Sequence, residues 1–472
     1  MTRRQDDAAL AQRPAVSLLE RVHNQVRDVL GSAARFTPAR LALVVLTAMI
    51  GVSTLLLLLP VSSARGTRTS LVDALFTAVS AITVTGLVTV ETGTHWSTFG
   101  LVVIMATIKV GGLGVLTLAS LMSLSVMRRM GLAQRVITAS ETKAERLAEV
   151  GGVLRTILVT STSFEAATFL ALVPYMIATE HRPGESLFLG LFYAISAFNN
   201  AGFVPEAAGT MQYLGDPFFS IPIAVAVFVG SLGFPVILVV VRNWRTPKHW
   251  TLHAKLTLCT SALLFVGGWL GIAAMEWGNP DTLGAQPTGT KLLASAFASV
   301  MPRSGGFSTV DIGAMQPETH LFLDILMFIG GGSGSTGGGI KVTTFALLTL
   351  SIWAEVRGNP DVEVFRRRIP QETIRQAIGV LALSVAIVLV ASMALLAMTP
   401  YTLDQVLFEI LSAFGTVGLS TGITADLQTA AKYVLIACMY VGRLGPMSLG
   451  AALAMRESKR VVRLPVERPI VG

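Results

Sequence analysis

Four glycine-containing loops are the part of this sequence whose residue types and spacing suit the binding of a cation. Each loop ends a short semi-apolar stretch, and the four stretches are similar: LFTAVSAITVTGL from Leu75, LFYAISAFNNAGF from Leu191, LASAFASVMPRSGGF from Leu293 and LFEILSAFGTVGL from Leu407. Their last glycines, Gly86, Gly202, Gly306 and Gly418, are separated by 116, 104 and 112 residues. Near-regular spacing of this kind predicts a fourfold internal repeat.

Four such loops can bind a cation with backbone oxygens alone. Carbonyl groups arranged around an axis replace the hydration shell of a permeating ion, and glycine permits backbone angles that a β-carbon forbids. The short helix before each loop directs its partially negative C-terminal end toward the same point. We therefore predict an ion-selective filter in four sets of residues: Thr83, Val84, Thr85 and Gly86; Asn199, Asn200, Ala201 and Gly202; Arg303, Ser304, Gly305 and Gly306; Gly415, Thr416, Val417 and Gly418.

An ordinary helix end, with a glycine that caps the last turn, is the alternative for any one of these loops. That alternative explains each loop separately, but it does not explain four copies at matching positions on one side of the membrane. The repetition favours the filter.

The elements that must position these loops are long apolar segments. Hydrophobic residues make up 52% of the 472-residue chain and charged residues only 14%, against roughly 25% charged in a soluble domain. This balance argues against a soluble enzyme. Segments near twenty residues long and almost without charge predict membrane spans, and they lie at about 41–60, 98–126, 153–178, 217–242, 252–275, 319–351, 374–399 and 428–456. Each of the four short stretches lies between the two spans of one pair and is too short to cross the membrane.

The positions of the charged residues predict the orientation. The formal net charge is +8, but Lys and Arg cluster beside the ends of apolar segments, which indicates membrane orientation rather than nucleic-acid binding. By the positive-inside rule the leader, the basic connections and the tail face the cytoplasm, so the four short stretches enter from outside. Cys259 and Cys438 both lie inside apolar segments and offer neither a disulfide framework nor a thiolate metal site.

These patterns together predict an all-α integral membrane protein with four tandem repeats around a pseudo-fourfold pore. Each repeat has a span, a re-entrant pore helix, a filter loop and a second span, which makes eight membrane spans and four pore helices. The predicted divisions are a basic cytoplasmic leader at 1–40, repeats at 41–126, 153–242, 252–351 and 374–456, and a cytoplasmic tail at 457–472.

The third repeat contains seven glycines within ten residues, at 330–339. A helix loses up to about 1 kcal/mol for each glycine relative to alanine, so we expect the sixth long segment to unwind there. A phosphate-binding loop does not fit, because Ile340 separates Gly339 from Lys341 and no strand–helix–strand pattern surrounds them. The sequence also shows no pair of catalytic carboxylates and no nucleophile with a base. We therefore expect transport and not enzymatic activity.

Lys109 and Arg443 are charged residues inside predicted spans. A buried cation there is costly and usually faces a cavity or a partner. Two interpretations stay open for each residue: a role in the pore, or a structural role in which the side chain pairs with an acid or reaches the membrane surface. The histidines show no ligand spacing, so potassium at the filter is the only metal ion that we expect.

Five separated motifs resemble those of the membrane subunits of Trk/Ktr-type potassium uptake systems. They are TVTGL at 83–87, FNNAGF at 198–203, SVMPRSGGFST at 299–309, GGGSGSTGGGIKVTTF at 330–345 and SAFGTVGLSTG at 412–422, and the resemblance extends from about 41 to 456. The short leader is closer to the Ktr type than to the longer Trk type. Ser304 and Gly305 differ from the threonine and alanine that are more common in the family, and the loop at 330–339 is richer in glycine than usual.

The resemblance implies a potassium filter made of the four loops and an intramembrane gate just below it. The implied gate residues are Gly330, Gly331, Gly332, Ser333, Gly334, Ser335, Thr336, Gly337, Gly338, Gly339 and Arg443. Glycine in all four loops favours potassium over sodium, because a serine in the first loop is associated with sodium transport in the family.

The resemblance also implies the assembly in which the chain works. It implies a homodimer in the cell (inner) membrane, with Na+ as a candidate coupling ion and no cofactor in this chain. ATP/ADP or NAD(H) would bind only to a cytoplasmic ring of regulatory subunits. A Trk-type or sodium-permeable member, the membrane subunit of a potassium pump, and a carrier of a small organic substrate remain the alternatives.

Overall fold

The computed structural model describes residues 38–114, 145–179 and 182–445, and this part of the chain is predominantly helical. Its helices are α1 Pro38–Leu57, α2 Leu71–Ile82, α3 Thr92–His95, α4 Thr98–Gly112, α5 Glu145–Ala178, α6 Pro183–Phe198, α7 Pro217–Leu232, α8 Phe234–Arg242, α9 Leu252–Glu276, α10 Thr288–Val300, α11 Pro317–Phe328, α12 Val342–Val356, α13 Gln371–Met398, α14 Leu403–Gly415 and α15 Thr429–Leu444. The leader up to residue 37, the first repeat from 115 onward, residues 180–181 of the second repeat, the fourth repeat from 446 onward and the tail at 457–472 lie outside the described residues.

Long apolar helices form the outside of the molecule. Within the described residues three helical segments are long and apolar enough to cross a membrane: Ile157–Ala178, Leu252–Glu276 and Gln371–Met398. The bent pair α7 and α8 makes a fourth if it counts as one span. Large apolar side chains on these helices point outward, for example Leu263 at 70% and Val390 at 68% exposure. An exposed apolar surface of this extent is typical of a face that meets lipid.

Four short helices, α2, α6, α10 and α14, lie inside this layer. The sequence starts them with clear signals: Ser70 Oγ accepts a hydrogen bond from the Asp73 amide at the start of α2, Pro183 begins α6, and Thr402 forms a capping box with Gln405 at the start of α14. Each of the four carries a fully buried phenylalanine, namely Phe76, Phe192, Phe297 and Phe408. Burial of one such ring stabilises the fold by about 1.5–3 kcal/mol.

The helices pack in a ring that closes on itself. Each short helix packs on the long helix before it, in the pairs α1–α2, α5–α6, α9–α10 and α13–α14. The helix after it packs on the next short helix, in the pairs α4–α6, α7–α10, α11–α14 and α15–α2. The last pair brings the two ends of the described chain together, and an ion pair of 2.9 Å joins Lys432 of α15 to Asp73 of α2.

The sequence predicts one continuous segment at 217–242, and the structure differs there. Helices α7 and α8 meet at an angle of 100° because Gly233 has a φ of +91° and Pro235 follows within the first turn of α8. A β-carbon at Gly233 would lie 2.6 Å from the carbonyl oxygen of Ser333. The chain bends where it meets the glycine-rich segment.

Two stretches between helices complete the fold. The chain between α11 and α12 is not helical, and Ile329 and Ile340 form a parallel bridge at its ends. Between α12 and α13 lies a small antiparallel hairpin, β1 Glu363–Val364 and β2 Arg367–Arg368. An all-α prediction does not include this hairpin, which makes up only a few residues.

Candidate ion pathway

The four predicted loops meet one another in a closed ring. A β-carbon on Gly86 would collide with the carbonyl oxygen of Ala201, one on Gly202 with the Gly305–Gly306 backbone, one on Gly306 with the carbonyl oxygen of Val417, and one on Gly418 with that of Thr85. The fourth loop therefore contacts the first, and this contact closes the ring. The residues that precede the four glycines supply the carbonyl groups of Thr85, Ala201, Gly305 and Val417, which we call the carbonyl ring.

The backbone follows the same path in all four loops. The residue two positions before each glycine is left-handed, with φ of 50° at Val84, 59° at Asn200, 78° at Ser304 and 48° at Thr416. The four glycines also have positive φ, between 67° and 95°. Left-handed backbone is strained for a β-branched residue such as Val84 or Thr416. Strain of this kind persists only where the surroundings hold it, and it concentrates at functional sites.

Serine side chains of the short helices hold two of the loops. The Gly86 amide donates to Ser80 Oγ at 3.0 Å, and the Gly418 amide donates to Ser412 Oγ at 3.1 Å. The N–H and C=O of a trans peptide point in opposite directions. An amide that is held toward the short helix therefore turns the carbonyl group of the preceding residue, Thr85 or Val417, away from that helix.

The second and third loops are held by different contacts. Ser196 Oγ donates to the carbonyl oxygen of Phe203 at 3.0 Å, and the Gly305 amide donates to the carbonyl oxygen of Met301 at 2.7 Å. The serines are not among the predicted site residues, although a serine stands six positions before the glycine in three of the four stretches. That recurrence was the signal available in the sequence.

The predicted filter residues are buried, apart from the half-buried Gly306 and Gly418. The Thr83 and Thr85 hydroxyls bond to each other at 2.7 Å. Arg303 stands apart from the others because its fully buried side chain extends behind the third loop. There Nη1 donates to the carbonyl oxygen of Ser261 at 3.1 Å, and the guanidinium lies 5.0 Å from the centre of the Phe228 ring.

Lys109 forms a partly buried ion pair with Glu165 and makes no hydrogen bond to the carbonyl ring among the described residues. Its Nζ lies 2.6 Å from Glu165 Oε2 and 2.8 Å from Ser161 Oγ, both on α5. Asn199 Nδ2 of the second loop donates to Glu165 Oε1 at 2.8 Å. Of the two interpretations open for Lys109, the structure shows the pairing with an acid. Glu165 is an acid inside a predicted span, which is the signal by which the sequence could have identified it.

Glycines on three further helices sit directly against the short helices. A β-carbon on Gly111, Gly230 or Gly442 would overlap the carbonyl oxygen of Ile82, Phe198 or Phe414, respectively, at the end of a short helix. Each of the three begins a similar motif, GGLG, GSLG or GRLG. The motif recurs because the backbone of each of these helices lies too close to the end of a short helix to leave room for a side chain.

The glycine-rich segment at 330–339 lies against the ring. The Gly338 amide donates to Thr416 Oγ1 at 2.8 Å, and a β-carbon on Gly337 would lie 2.7 Å from Ser304 Oγ. Thr336 Oγ1 donates to the carbonyl oxygen of Gly230 at 3.2 Å. The segment therefore contacts the third and fourth loops and the helix α7 together.

Two cations flank this segment. Arg443 donates through Nη1 to the carbonyl oxygen of Thr336 and through Nη2 to that of Gly111, so it joins the segment to α4. Lys341 Nζ donates to the carbonyl oxygen of Gly337 at 2.7 Å. Lys341 is not among the predicted site residues, although it is the single Lys or Arg in the long segment 319–351.

Acidic side chains brace the loops beyond the ring. Glu206 accepts hydrogen bonds from the hydroxyls of Tyr193 and Tyr213 at 2.6 and 2.9 Å, and Glu409 accepts from Thr424 Oγ1 at 2.7 Å and the Thr421 amide at 3.0 Å. Burial is the main cause that raises the pKa of the Tyr213 hydroxyl above its ordinary value, and the negative charge of Glu206 raises it further. These carboxylates hold the backbone that leads out of the loops.

Comparison with known proteins assigns the family. A family model described as a cation transport protein, TrkH, matches residues 27–463. The Ktr system potassium uptake protein B of Bacillus subtilis (strain 168) is 38% identical over 427 residues, which cover 90% of this chain and 95% of that protein. The protein of the same name from Vibrio alginolyticus is 36% identical over 433 residues, which cover 91% and 94%.

The fold also matches a solved structure. The crystal structure of the potassium transporter TrkH from Vibrio parahaemolyticus gives a TM-score of 0.66 at 19% sequence identity, with 86% of this chain and 84% of that chain covered. Together with the sequence matches, this confirms the resemblance that the five motifs predict. The chain belongs to the TrkH family of membrane cation transport proteins.

Proposed function

We propose that this chain takes up potassium across the cell membrane through the carbonyl ring. One observation carries the proposal: four loops of the same left-handed backbone path close on one another through Gly86, Gly202, Gly306 and Gly418. Four carbonyl groups around one axis replace the water ligands of a cation without a permanent carboxylate. The names of the relatives in Bacillus and Vibrio, potassium uptake proteins, support potassium as the ion.

In this proposal each of the four repeats, 41–126, 153–242, 252–351 and 374–456, contributes one quarter of the pore. The closed packing of the helices supports this division, because the helix after each short helix packs on the next short helix. The chain then has eight spans and four re-entrant helices, with both termini in the cytoplasm. The clusters of Lys and Arg beside the span ends support that orientation.

The glycine-rich segment acts as the gate of this pore. Its hydrogen bonds to Thr416 and Gly230 and its contact with Ser304 support a position across the ion path. Arg443 and Lys341 bond to carbonyl groups of the segment and so fix it in place. Their positive charges also oppose the passage of a cation.

Two further parts of the proposal concern the assembly. Two copies of the chain form a homodimer, and a cytoplasmic ring of subunits that bind ATP/ADP or NAD(H) switches the gate. Na+ is the candidate coupling ion. These parts follow from the resemblance of the five motifs to Trk/Ktr-type membrane subunits, and identities of 38% and 36% to two Ktr system potassium uptake proteins support the Ktr type itself.

Ion flux into liposomes that contain the purified chain tests the proposal. We expect potassium flux to exceed sodium flux at least tenfold, and we expect Arg443→Ala to raise potassium flux while the ratio is kept. Arg245→Ala, at an exposed position, is the matched control and leaves both fluxes unchanged. Gly86→Ser adds a side chain that collides with Ala201, and we expect it to lower the potassium preference.

Three outcomes contradict the proposal. Equal flux of both ions in the wild-type protein contradicts the filter. An unchanged flux after Arg443→Ala contradicts the gate. An unchanged potassium preference in Gly86→Ser contradicts the claim that glycine in the first loop favours potassium over sodium.

A further inference from the structure

A basic cavity lies on the face of the molecule where α9 begins and the hairpin between α12 and α13 stands. Its volume is about 580 Å³, within the usual range of small-molecule sites. Five of its eight lining residues are cations and none is acidic. The lining residues are Lys248, Trp250, Leu252, Lys255, Phe365, Arg366, Arg367 and Arg368.

Most of these cations have no acidic partner in the described chain. Arg368 pairs with Asp361 at 2.8 Å, and Lys255 lies 6.0 Å from the centre of the Phe365 ring. Lys248, Arg366 and Arg367 form no ion pair with any described residue. The charges lie in one concave surface and repel one another, so the cavity favours an anion.

The hairpin fixes part of this surface in place. Glu363 pairs with Arg368 and Val364 with Arg367 in the strand register, which leaves Phe365 and Arg366 as a two-residue turn. Both turn residues have positive φ, 49° and 62°, the geometry that suits a tight turn between twisted strands. The turn holds Phe365 and Arg366 at the rim of the cavity.

Three tryptophans locate the cavity at the membrane surface. Trp250 lines it, Trp244 follows the end of α8 and is 65% exposed, and Trp353 lies in α12 and is 57% exposed. Arg245 and Arg357 each lie 4.6 Å from the centre of an indole ring, above Trp244 and Trp353 respectively. Tryptophans beside cationic residues at the ends of apolar helices are typical of the level of the lipid headgroups.

We propose that this cavity binds the phosphate headgroup of an anionic phospholipid. Guanidinium and ammonium groups bind phosphate oxygens with charge-assisted hydrogen bonds, and basic pockets between membrane helices bind anionic headgroups. The tryptophans favour a position of the cavity at headgroup level, where a lipid would enter it without leaving the membrane. The proposal uses the membrane placement of the chain but not the identity of the transported ion.

Native mass spectrometry of the purified full-length chain tests the proposal, with phosphatidylglycerol and phosphatidylcholine as the probes. The test variant is Lys248→Gln/Arg366→Gln/Arg367→Gln, which keeps the Arg368–Asp361 pair. The matched control is Arg242→Gln/Arg245→Gln/Arg357→Gln, which removes three exposed cations of the same face outside the cavity.

We expect phosphatidylglycerol to bind the wild-type chain at least tenfold more tightly than phosphatidylcholine. We expect the test variant to lose at least tenfold in affinity for phosphatidylglycerol, since one cation contributes about fivefold near a membrane surface. We expect the control to lose at least about fivefold less than the test variant, because its three cations do not line the cavity. If the triple variant does not fold, Arg366→Gln alone at the turn should lose about fivefold.

Equal binding of the two lipids, or an equal loss in the control, overturns the proposal. Displacement of phosphatidylglycerol by millimolar inorganic phosphate assigns the cavity to a soluble anion instead. Loss of an acidic protein partner in the test variant, with lipid binding unchanged, assigns it to protein docking.

Discussion

Replacement of Ser80 by alanine tests whether the short helices orient the carbonyl ring. Ser80 Oγ accepts the Gly86 amide at 3.0 Å in a fully buried position. The substitution removes this acceptor and leaves the amide unsatisfied, which costs about 1–3 kcal/mol. The free energy that favours the native orientation of the Thr85–Gly86 peptide over rotated orientations falls by up to this amount.

The effect on ion preference follows from this free energy. Since about 1.4 kcal/mol corresponds to a factor of ten, we expect the potassium-to-sodium permeability ratio to fall, by up to about 150-fold for a cost of about 3 kcal/mol. A matched control is available in Ser196→Ala, because that serine stands at the same position in the second loop but donates to the carbonyl oxygen of Phe203. We expect the control to lower the unfolding temperature but to change the ratio by less than about twofold.

The assay is the reversal potential of the chain in a planar bilayer with potassium on one side and sodium on the other. A folded Ser80→Ala protein with the wild-type ratio would refute the argument that the serine orients the peptide. A loss of preference in Ser196→Ala as large as in Ser80→Ala would also refute it, because the two serines differ in what they hold. Ser412→Ala should behave like Ser80→Ala, since its hydroxyl accepts the Gly418 amide.

The remaining predictions concern the stability of the fold, and thermal unfolding in detergent measures them. Gly442→Ala should destabilise the fold by several kcal/mol or abolish it, because the new β-carbon overlaps the carbonyl oxygen of Phe414. The control Gly379→Ala has open space around it in a helix and should leave the unfolding temperature equal or higher. Lys109→Met leaves Glu165 buried without its cation and should cost about 3–5 kcal/mol, with Lys109→Met/Glu165→Gln recovering part of the loss in the same assay.

The sequence predicts the loops because they repeat. Gly86 and its three counterparts recur at matching positions, and a local pattern that recurs four times is readable without any structure. The left-handed φ at Val84 and Thr416 is not readable, because β-branched residues ordinarily avoid it. Contacts with distant parts of the chain help to hold that conformation, for example the Gly338 amide that donates to Thr416 Oγ1.

Contacts between distant segments account for the rest of what the sequence missed. Gly233 lies too close to the Ser333 carbonyl group for a side chain, and Lys109 pairs with Glu165, 56 positions away. The sequence of one span, or one charged residue, does not show whether a distant segment of the chain contacts it in the fold. The sequence does not predict the hairpin at 363–368, because a two-residue strand spans a single period and shows no alternating pattern.

The packing of α15 on α2 has a consequence for how the protein is made. The ion pair between Lys432 and Asp73 joins residues 359 positions apart, and the contact of Gly418 with Thr85 closes the ring only when the fourth loop is in place. If the four loops form the proposed filter, the earlier loops have no complete set of oxygen ligands while the ribosome is still inserting the chain from its N-terminus. We therefore expect selective conduction only after the last helix has been released and has packed on α2.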